Sequence, residues 1–206
     1  MSDPRAAREE ANRLERLWQG DFGDAYVERN RRAGAPRGPF WREILADLTV
    51  ASALEIGCNV GANLRWIAGP GRAAVGIDVN VKALAELRRG APGARPVCAA
   101  GRYLPFRDRA FDLVFTMGVL IHQPESSLGD VVDEMVRCSH RYVLCGEYFA
   151  PETVEVPYRG QAGALFKRDY GRLIAARHPE LALRRQGFLG RDAGWDDVTY
   201  WLFERV

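Results

Sequence analysis

A glycine turn and an acidic residue on the next strand are the first features of the sequence that could bind a ligand. In the run ALEIGCNVGANL, residues 53–64, apolar residues lead into Gly57, where the chain can turn sharply, and Gly61 would let a following helix pack closely. Such a turn presents unpaired backbone N–H groups. Asp78 ends the apolar run 73–78, and a carboxylate there can accept hydrogen bonds from both hydroxyls of a ribose. The pair predicts a site for a nucleoside-bearing ligand.

The glycine spacing separates the two ligands that use this arrangement, dinucleotides and S-adenosylmethionine. A dinucleotide fingerprint reads G-x-G-x-x-G, and the corresponding positions here are Gly57, Asn59 and Ala62. Asn59 carries a side chain where a pyrophosphate would press, so a ligand without a pyrophosphate fits better. S-adenosylmethionine is therefore favoured, with its methionine part at the turn. A plain strand–helix turn without a ligand is the alternative for the glycines alone.

Several residues further along the chain could act on an acceptor. Methyl transfer from a sulfonium is an in-line displacement, which needs alignment, exclusion of water and sometimes removal of a proton. His122, after the fourth predicted strand, could be a general base or hydrogen-bond the acceptor, or be a structural histidine. Glu147, at the end of the fifth, could orient an amine or guanidine, or simply form a cap or salt bridge. Tyr148 and Tyr158 could close over the sulfonium or the acceptor, and Arg159 could pair with a carboxylate. The alternative for Tyr158 is surface packing.

The elements that must position these residues alternate along the chain. Apolar runs predict five strands, at 53–56, 73–78, 96–99, 111–116 and 141–147. Helices are predicted at 40–48, from the glycine turn to Ala68, and at 80–89, 130–138 and 167–177, and two last strands at 181–189 and 197–205. This order predicts an α/β fold: a doubly wound, Rossmann-like, seven-stranded sheet with a hairpin edge and ligands beyond the strand carboxyl ends.

The residues before the first strand predict a separate helical segment. A helix over 4–18 and a second one from Asp24 are joined by glycines and followed by a loop at 31–39. The aromatic residues Phe22 and Tyr26 could fold over a ligand and exclude water, or merely hold the helices on the domain. We therefore divide the chain into a helical lid, residues 1–39, and a cofactor-binding domain, residues 40–206.

Composition narrows the class of protein. The 206 residues carry a net charge of +2 with both signs mixed, so neither nucleic acid nor a membrane surface is an expected partner. A small-molecule acceptor is expected, and the last strands could pair across a homodimer. The four cysteines lack C-x-x-C spacing, so we expect reduced thiols, no metal and a cytoplasmic location.

The order of these motifs resembles that of class I S-adenosylmethionine-dependent methyltransferases over roughly residues 40–147. The segments that carry the resemblance are the glycine turn, Asp78, LPF at 104–106, FDLV at 111–114 and GVLIH at 118–122. More narrowly, the chain resembles the methylases associated with pseudaminic acid biosynthesis. That likeness includes LWQGDFGD at 17–24, Tyr26, RN at 29–30, RCS at 137–139, EY at 147–148, PYRG at 157–160 and FKRD at 166–169.

The resemblance implies N- or O-methylation of a small polar metabolite derived from an amino acid or a sugar. It implies that S-adenosylmethionine contacts these residues: Trp18, Tyr26, Arg29, Asn30, Glu55, Gly57, Cys58, Asn59, Gly61, Asn63, Asp78, Val79, Gly101, Arg102, Tyr103 and Met117. Catalytic roles are expected for His122, Glu147 and Tyr148, and acceptor contacts for the same three with Tyr158 and Arg159.

The chain departs from the family pattern at the adenine end. Many members place an acidic residue before the LPF segment, but positions 99–101 read Ala-Ala-Gly. We expect adenine to be held by backbone groups near Gly101 and Arg102, with Tyr103 or Leu104 against the ring. Two other functions remain open: a cyclase or lyase that attacks the methionine chain and releases methylthioadenosine, and a noncatalytic S-adenosylmethionine-binding protein.

Overall fold

Helices and strands alternate along the chain in the computed structural model, which describes residues 4–31 and 36–206. The helices are α1 (Pro4–Gln19), α2 (Asp21–Asn30), α3 (Gly38–Ala46), α4 (Leu64–Ile67), α5 (Val81–Gly90), α6 (Glu125–Cys138) and α7 (Tyr170–Arg177). The strands are β1 (Ser52–Ile56), β2 (Ala73–Asp78), β3 (Ala94–Cys98), β4 (Phe111–Met117), β5 (Ser139–Glu147), β6 (Val154–Glu155), β7 (Phe166–Lys167), β8 (Leu181–Leu189) and β9 (Val198–Arg205). Two 3₁₀ turns lie at Leu120–His122 and Arg191–Ala193.

The predicted seven-stranded sheet is confirmed. Its order is β3-β2-β1-β4-β5-β9-β8. The first five strands are parallel, and β9 lies antiparallel between β5 and β8, which forms the predicted hairpin edge. Because β1 lies between β2 and β4, the direction of strand succession reverses at β1, and a ligand crevice is expected there.

Helices cover both faces of the sheet. Apolar residues of α3, α4 and α5 form one core with the inner strands, and those of α6 and α7 form another on the opposite face. Strands β1 and β4 are buried almost throughout, as expected for parallel strands covered on both sides. The carboxyl ends of β1, β2 and β4 therefore meet at one edge and bring the glycine turn, Asp78 and Met117 together.

The N-terminal segment contains the two predicted helices. The second begins at Asp21, three residues earlier than the sequence indicated. The predicted loop at 31–39 includes residues 32–35, which lie outside the described residues, and α3 already begins at Gly38. None of the helices in residues 4–31 and 36–206 is long and apolar enough to cross a membrane.

Two local predictions were wrong. The glycine turn does not lead directly into a long helix: residues 59–63 form consecutive turns, and α4 has only four residues. The helix predicted from Lys167 begins at Tyr170, because Lys167 pairs with Val154 in the small β6–β7 hairpin. Asp169 caps this helix by accepting a hydrogen bond from the backbone N–H of Arg172 at 2.9 Å.

Candidate active site

A cavity of about 460 Å³ lies at the carboxyl ends of β1, β2 and β4. Its other walls come from α1, α2, the segment after β5 and the residues before β9. A volume of this size is typical of small-molecule sites. Most of the predicted site residues line it: Trp18, Tyr26, Arg29, Asn30, Glu55, Gly57, Cys58, Asn59, Asn63, Asp78, Val79, Gly101, Arg102, Met117, His122, Tyr148, Tyr158 and Arg159.

The glycine turn is built from three residues with positive φ: Gly57 at 68°, Asn59 at 46° and Gly61 at 76°. A Cβ on Gly57 would lie 2.5 Å from Val119 Cγ2, so only glycine fits. Asn59 belongs to a residue type that tolerates this conformation, and its buried Oδ1 has no partner in the described chain. Gly61 does not line the cavity. It permits close packing on α5, where a Cβ would lie 3.1 Å from Leu87 Cγ.

Asp78, at the end of β2, lines the cavity and holds the neighbouring backbone in place. Its two carboxylate oxygens accept hydrogen bonds from the backbone N–H groups of Asn59 and Asn80, each at 2.9 Å. Burial raises the pKa of this carboxyl, while the backbone donors act in the opposite direction. Each oxygen has a second lone pair, so the carboxylate can hold the turn and accept further hydrogen bonds from ligand hydroxyls.

Glu55, at the end of β1, is 2% exposed. Its Oε1 accepts a 2.5 Å hydrogen bond from Asn63 Nδ2, whereas its buried Oε2 has no partner in the described chain. Burial raises the pKa of Glu55 to about 8. Asn63 Oδ1 in turn accepts hydrogen bonds from Trp41 Nε1 at 3.2 Å and Arg37 Nη1 at 3.0 Å. Asn63 therefore separates a carboxyl from a guanidinium, and both face the same cavity.

Three residues near Glu55 were not predicted from the sequence to be part of the site. Arg37 lines the cavity, its buried Nε has no partner in residues 4–31 and 36–206, and its guanidinium stacks 4.5 Å from the centre of a Trp195 ring. Trp195 and the exposed Asp196 line the cavity from the residues before β9. The only sequence signal is an aromatic–acidic pair before a strand and an arginine before a helix, which are both common surface patterns.

Aromatic rings from the N-terminal helices cover the cavity. The Trp18 ring lies 5.3 Å from Tyr26, 4.6 Å from His122 and 6.4 Å from Tyr158, measured between ring centres. Phe22 lies 5.9 Å from Tyr158. The buried Trp18 Nε1 has no partner in the described chain, and burial raises the pKa of Tyr26 to about 12. This contiguous aromatic cluster places α1 and α2 over the site.

Polar contacts fix these helices to the domain. Asn80 Nδ2 donates to Trp18 O at 3.1 Å and to Asp24 Oδ1 at 2.9 Å. Arg102 is 6% exposed and donates to Glu15 Oε1 at 2.8 Å and Asn12 Oδ1 at 2.9 Å. The N-terminal segment is therefore attached at the ends of both β2 and β3.

His122 is held in one tautomer. Its Nδ1 lies 2.6 Å from Ala164 O, and because a carbonyl oxygen can only accept, Nδ1 carries the proton and Nε2 presents a lone pair. Burial lowers the pKa of His122 to about 4. The side chain is thus neutral near pH 7, which suits a hydrogen-bond acceptor better than a strong base.

Glu147 does not line the cavity. It is 0% exposed, and its carboxylate accepts hydrogen bonds from Thr116 Oγ1 at 2.9 Å and from the backbone N–H groups of Val119 at 3.2 Å and Ile121 at 3.1 Å. Burial raises its pKa to about 7. The geometry does not support the predicted contact with an acceptor, because Glu147 positions the turn that carries His122.

Two of the four residues that we expect to hold adenine do not line the cavity. Gly101 and Arg102 line the cavity, but Tyr103 does not and is 65% exposed. Leu104 is buried in the core below the site. Neither side chain lines the cavity. Cys58 is 3% exposed and burial raises its pKa well above the usual range, in keeping with a packing role.

Comparisons with known proteins identify the fold. Residues 54–141 match the family model of a methyltransferase domain. No curated protein matches the chain significantly.

In the part of the chain that is described, no three His, Cys, Asp or Glu side chains form a group that could hold a metal ion.

Solved structures of the same fold align over most of the chain. The 1,6-didemethyltoxoflavin-N1-methyltransferase of Burkholderia thailandensis, solved with 1,6-didemethyltoxoflavin and S-adenosylhomocysteine, has 13% identity, a TM-score of 0.72 and coverage of 100% of this chain and 92% of its own. The magnesium protoporphyrin IX methyltransferase of Synechocystis PCC 6803, solved with S-adenosylmethionine, has 16% identity, a TM-score of 0.68 and coverage of 96% and 97%. The [4+2]-cyclase SpnF has 17% identity, a TM-score of 0.60 and coverage of 82% and 79%. The sheet is therefore that of the class I methyltransferase fold. The narrower resemblance to pseudaminic acid-associated methylases has no counterpart among these matches.

Proposed function

We propose that this chain is an S-adenosylmethionine-dependent methyltransferase that acts on a small polar metabolite. The observation that supports this most is that four of the six buried polar side-chain atoms without partners in residues 4–31 and 36–206 belong to residues that line the cavity. They are Trp18 Nε1, Arg37 Nε, Glu55 Oε2 and Asn59 Oδ1. Because each unsatisfied buried group costs about 1–3 kcal/mol, a polar ligand that pairs with them would recover free energy that the protein alone forgoes.

The charges and shapes of these residues fit the parts of the proposed cofactor. Asp78 would accept hydrogen bonds from ribose hydroxyls at the end of β2. Glu55 and Arg37 would face the ammonium and the carboxylate of the methionine part, since a carboxyl and a guanidinium lie on either side of Asn63. The rings of Trp18, Tyr26 and Tyr158 would attract the sulfonium. When bound, the cofactor supplies an electrophilic methyl group.

The part of the cavity beside His122, which we call the acceptor end, suits a nucleophile that needs no strong base. His122 is neutral at pH 7 and can accept a hydrogen bond through Nε2, which would orient an acceptor N–H or O–H. The aromatic cover would exclude water. These features favour an amine, or an oxygen acid that ionises near neutral pH, over an aliphatic hydroxyl. An amino-acid or sugar origin of the acceptor, a cytoplasmic location and a homodimer are finer proposals that rest on the sequence.

The test is to incubate the purified protein with S-adenosylmethionine alone and to follow retained ligand and products by mass spectrometry. Intact, protein-retained S-adenosylmethionine would support the proposal, and an acceptor screen with labelled methyl would follow. Enzyme-dependent release of methylthioadenosine would favour the cyclase or lyase. Retention of the cofactor with no transfer to any acceptor would favour the noncatalytic alternative, and no retention would overturn the proposal.

A substitution in the floor of the cavity tests the assigned cofactor site. Asp78→Asn should weaken S-adenosylmethionine binding about 100-fold, because it removes a charged acceptor that serves both the turn and the ribose. Calorimetric titration would measure this change. Asp108→Asn is the control, since Asp108 is 77% exposed, does not line the cavity and should leave the affinity unchanged. Equal affinity in the Asp78 variant would contradict the placement of the cofactor.

A further inference from the structure

A tight turn carries Arg159 at the edge of the cavity. The backbone N–H of Gln161 donates to Tyr158 O at 2.9 Å, and that of Tyr158 donates to Gln161 O at 3.3 Å. The two central residues, Arg159 and Gly160, have φ values of 50° and 78°. Positive φ at both central positions is the pattern of a type I′ turn, which strongly favours Asn-Gly. Gly160 fits this pattern and Arg159 does not.

The turn alone does not explain why an arginine occupies this position. Side chains with a Cβ destabilise the left-handed region, and only Asn and Asp relieve the strain through local hydrogen bonds. In the described residues, four positions other than glycine have positive φ: Asn59, Arg109, Arg159 and Asp197. Residues held in sparsely populated conformations cluster at functional sites. Of the two arginines, only Arg159 lines the cavity.

The guanidinium of Arg159 is available for a ligand. It is exposed and forms no ion pair with the described part of the chain, in contrast to Arg102, which pairs with Glu15. Its Cζ lies 6.0 Å from the centre of the Tyr158 ring, and that ring lies 5.1 Å from His122. Arg159 therefore belongs to the acceptor end, whereas Arg37 lies beside Glu55 and Asn63 at the end of β1.

We propose that Arg159 binds an anionic group, a carboxylate or a phosphate, on the methyl acceptor. This inference rests on the proposed function and names its substrate class. A guanidinium presents two parallel N–H donors to either group, and such charge-assisted pairs are stronger than neutral ones. The methionine carboxylate of the cofactor would be held by Arg37. The acceptor would thus be an acid whose reacting atom lies near His122 while its anionic group reaches the mouth of the cavity.

Ligand-observed NMR on the full chain saturated with S-adenosylmethionine tests this while the acceptor is still unidentified. One arm uses amino acids and sugar acids, each with its primary amide, and the other uses sugar phosphates, each with the parent sugar. We expect at least one compound with a carboxylate or phosphate to bind at least tenfold more tightly than its partner that lacks this group, and the arm in which it falls identifies the group. If no acid binds better than its partner, the inference is wrong. If the chain does not bind S-adenosylmethionine, the proposed function itself fails, which is a separate result.

Arg159→Asn provides the second test, because the two roles of this position predict opposite effects. Asparagine suits the turn, so the melting temperature should rise by about 2–4 °C. Affinity for the anionic compound should fall at least tenfold, with the affinity for S-adenosylmethionine unchanged. In a transfer assay, KM for the acceptor should rise while kcat changes less than twofold. A lower melting temperature, or weaker cofactor binding, would overturn the assignment.

Arg109→Asn is the matched control. Arg109 has a φ of 52°, is exposed and does not line the cavity. The same substitution should raise the melting temperature by a similar amount and leave binding of the anionic compound unchanged. A tenfold loss of affinity in this variant would show that the Arg159 effect reflects the general loss of positive charge.

Discussion

Two buried glutamates lie near the carboxyl ends of the strands that flank β4: Glu55 precedes the last residue of β1, and Glu147 is the last residue of β5. Burial raises the pKa of both, to about 8 and about 7. Their hydrogen-bond partners differ. Glu147 is surrounded by a hydroxyl and two backbone N–H groups, whereas Glu55 receives one side-chain donor and keeps an oxygen without a partner in the described chain.

The difference shows that residue type and position at a strand end do not decide the role of a carboxyl group. A glutamate whose two carboxylate oxygens both accept hydrogen bonds from its own chain stabilises a turn. One that keeps an unpaired buried oxygen at a cavity has capacity for a ligand. Four substitutions test this distinction, from the largest expected effect to the smallest.

Glu147→Ala should lower the free energy of unfolding by about 3–5 kcal/mol, because it leaves three donors, two of them buried, without an acceptor. Denaturant titration at pH 7 measures the loss. Glu152→Ala is the control, since Glu152 is exposed and should change stability by less than about 0.5 kcal/mol. A stable Glu147→Ala protein that binds cofactor but transfers no methyl would make Glu147 a reacting group after all.

His122→Asn tests the group that Glu147 positions. We expect kcat to fall about 10–100-fold, because a hydrogen bond to the acceptor is lost, and S-adenosylmethionine affinity to stay within a few-fold. Because burial lowers the pKa of His122 to about 4, its folded-state charge should not change between pH 6 and 8. Turnover of the wild-type protein should show no inflection from this histidine in that window. An equal loss of cofactor affinity and turnover would contradict an acceptor role.

Glu55→Gln should weaken S-adenosylmethionine binding about tenfold, or about 1.4 kcal/mol, without destabilising the fold. Its pH dependence is the sharper measurement. The pKa of Glu55 is higher in the folded protein than in the unfolded chain, so its stabilising contribution is complete below about pH 4.5 and is lost as pH rises to about 8. The wild-type protein should lose stability from pH 5 to 9, and the variant should lose less. If stability falls equally with pH in both proteins, Glu55 is not the source of the pH dependence.

Tyr103→Ala should produce the smallest change, less than twofold in S-adenosylmethionine affinity. Tyr103 is 65% exposed and does not line the cavity, despite its place in the sequence beside Arg102. Equilibrium titration of both proteins measures the ratio. A tenfold loss would mean that the loop turns inward when the ligand binds, and the expectation of an adenine contact at Tyr103 would stand.

The sequence predicted the sheet because β1, β2, β4 and β5 are long apolar runs with distinct ends. It predicted Asp78 at the cavity because strand ends of a parallel sheet share one edge. It could not predict the length of α4, because the positive φ at Asn59 and Gly61 uses residues that could equally have begun a helix.

Tertiary placement decided the rest of the candidate site. Arg37 is far in the chain from Trp195 and Asp196, and only the insertion of β9 beside β5 and the packing of α3 bring them to one cavity. The roles of Glu147 and Tyr103 depend on where their side chains point, which local sequence does not determine. The assignment of a ligand role to each lining residue is still a prediction.

Asn80 links parts of the molecule that the chain order separates. Its Oδ1 accepts hydrogen bonds from Lys82 N and Ala83 N and so caps α5, while its Nδ2 holds Trp18 O and Asp24. Gly23 lies against the same contact, where a Cβ would come within 1.8 Å of Trp18 O and 2.9 Å of Asn80 Nδ2. In chimeric proteins, the N-terminal helices should therefore not be exchangeable between relatives on their own. They would have to be recombined together with the loops after β2 and β3 and with the segment between β5 and α7, because Asn80, Arg102 and Tyr158 all contact them.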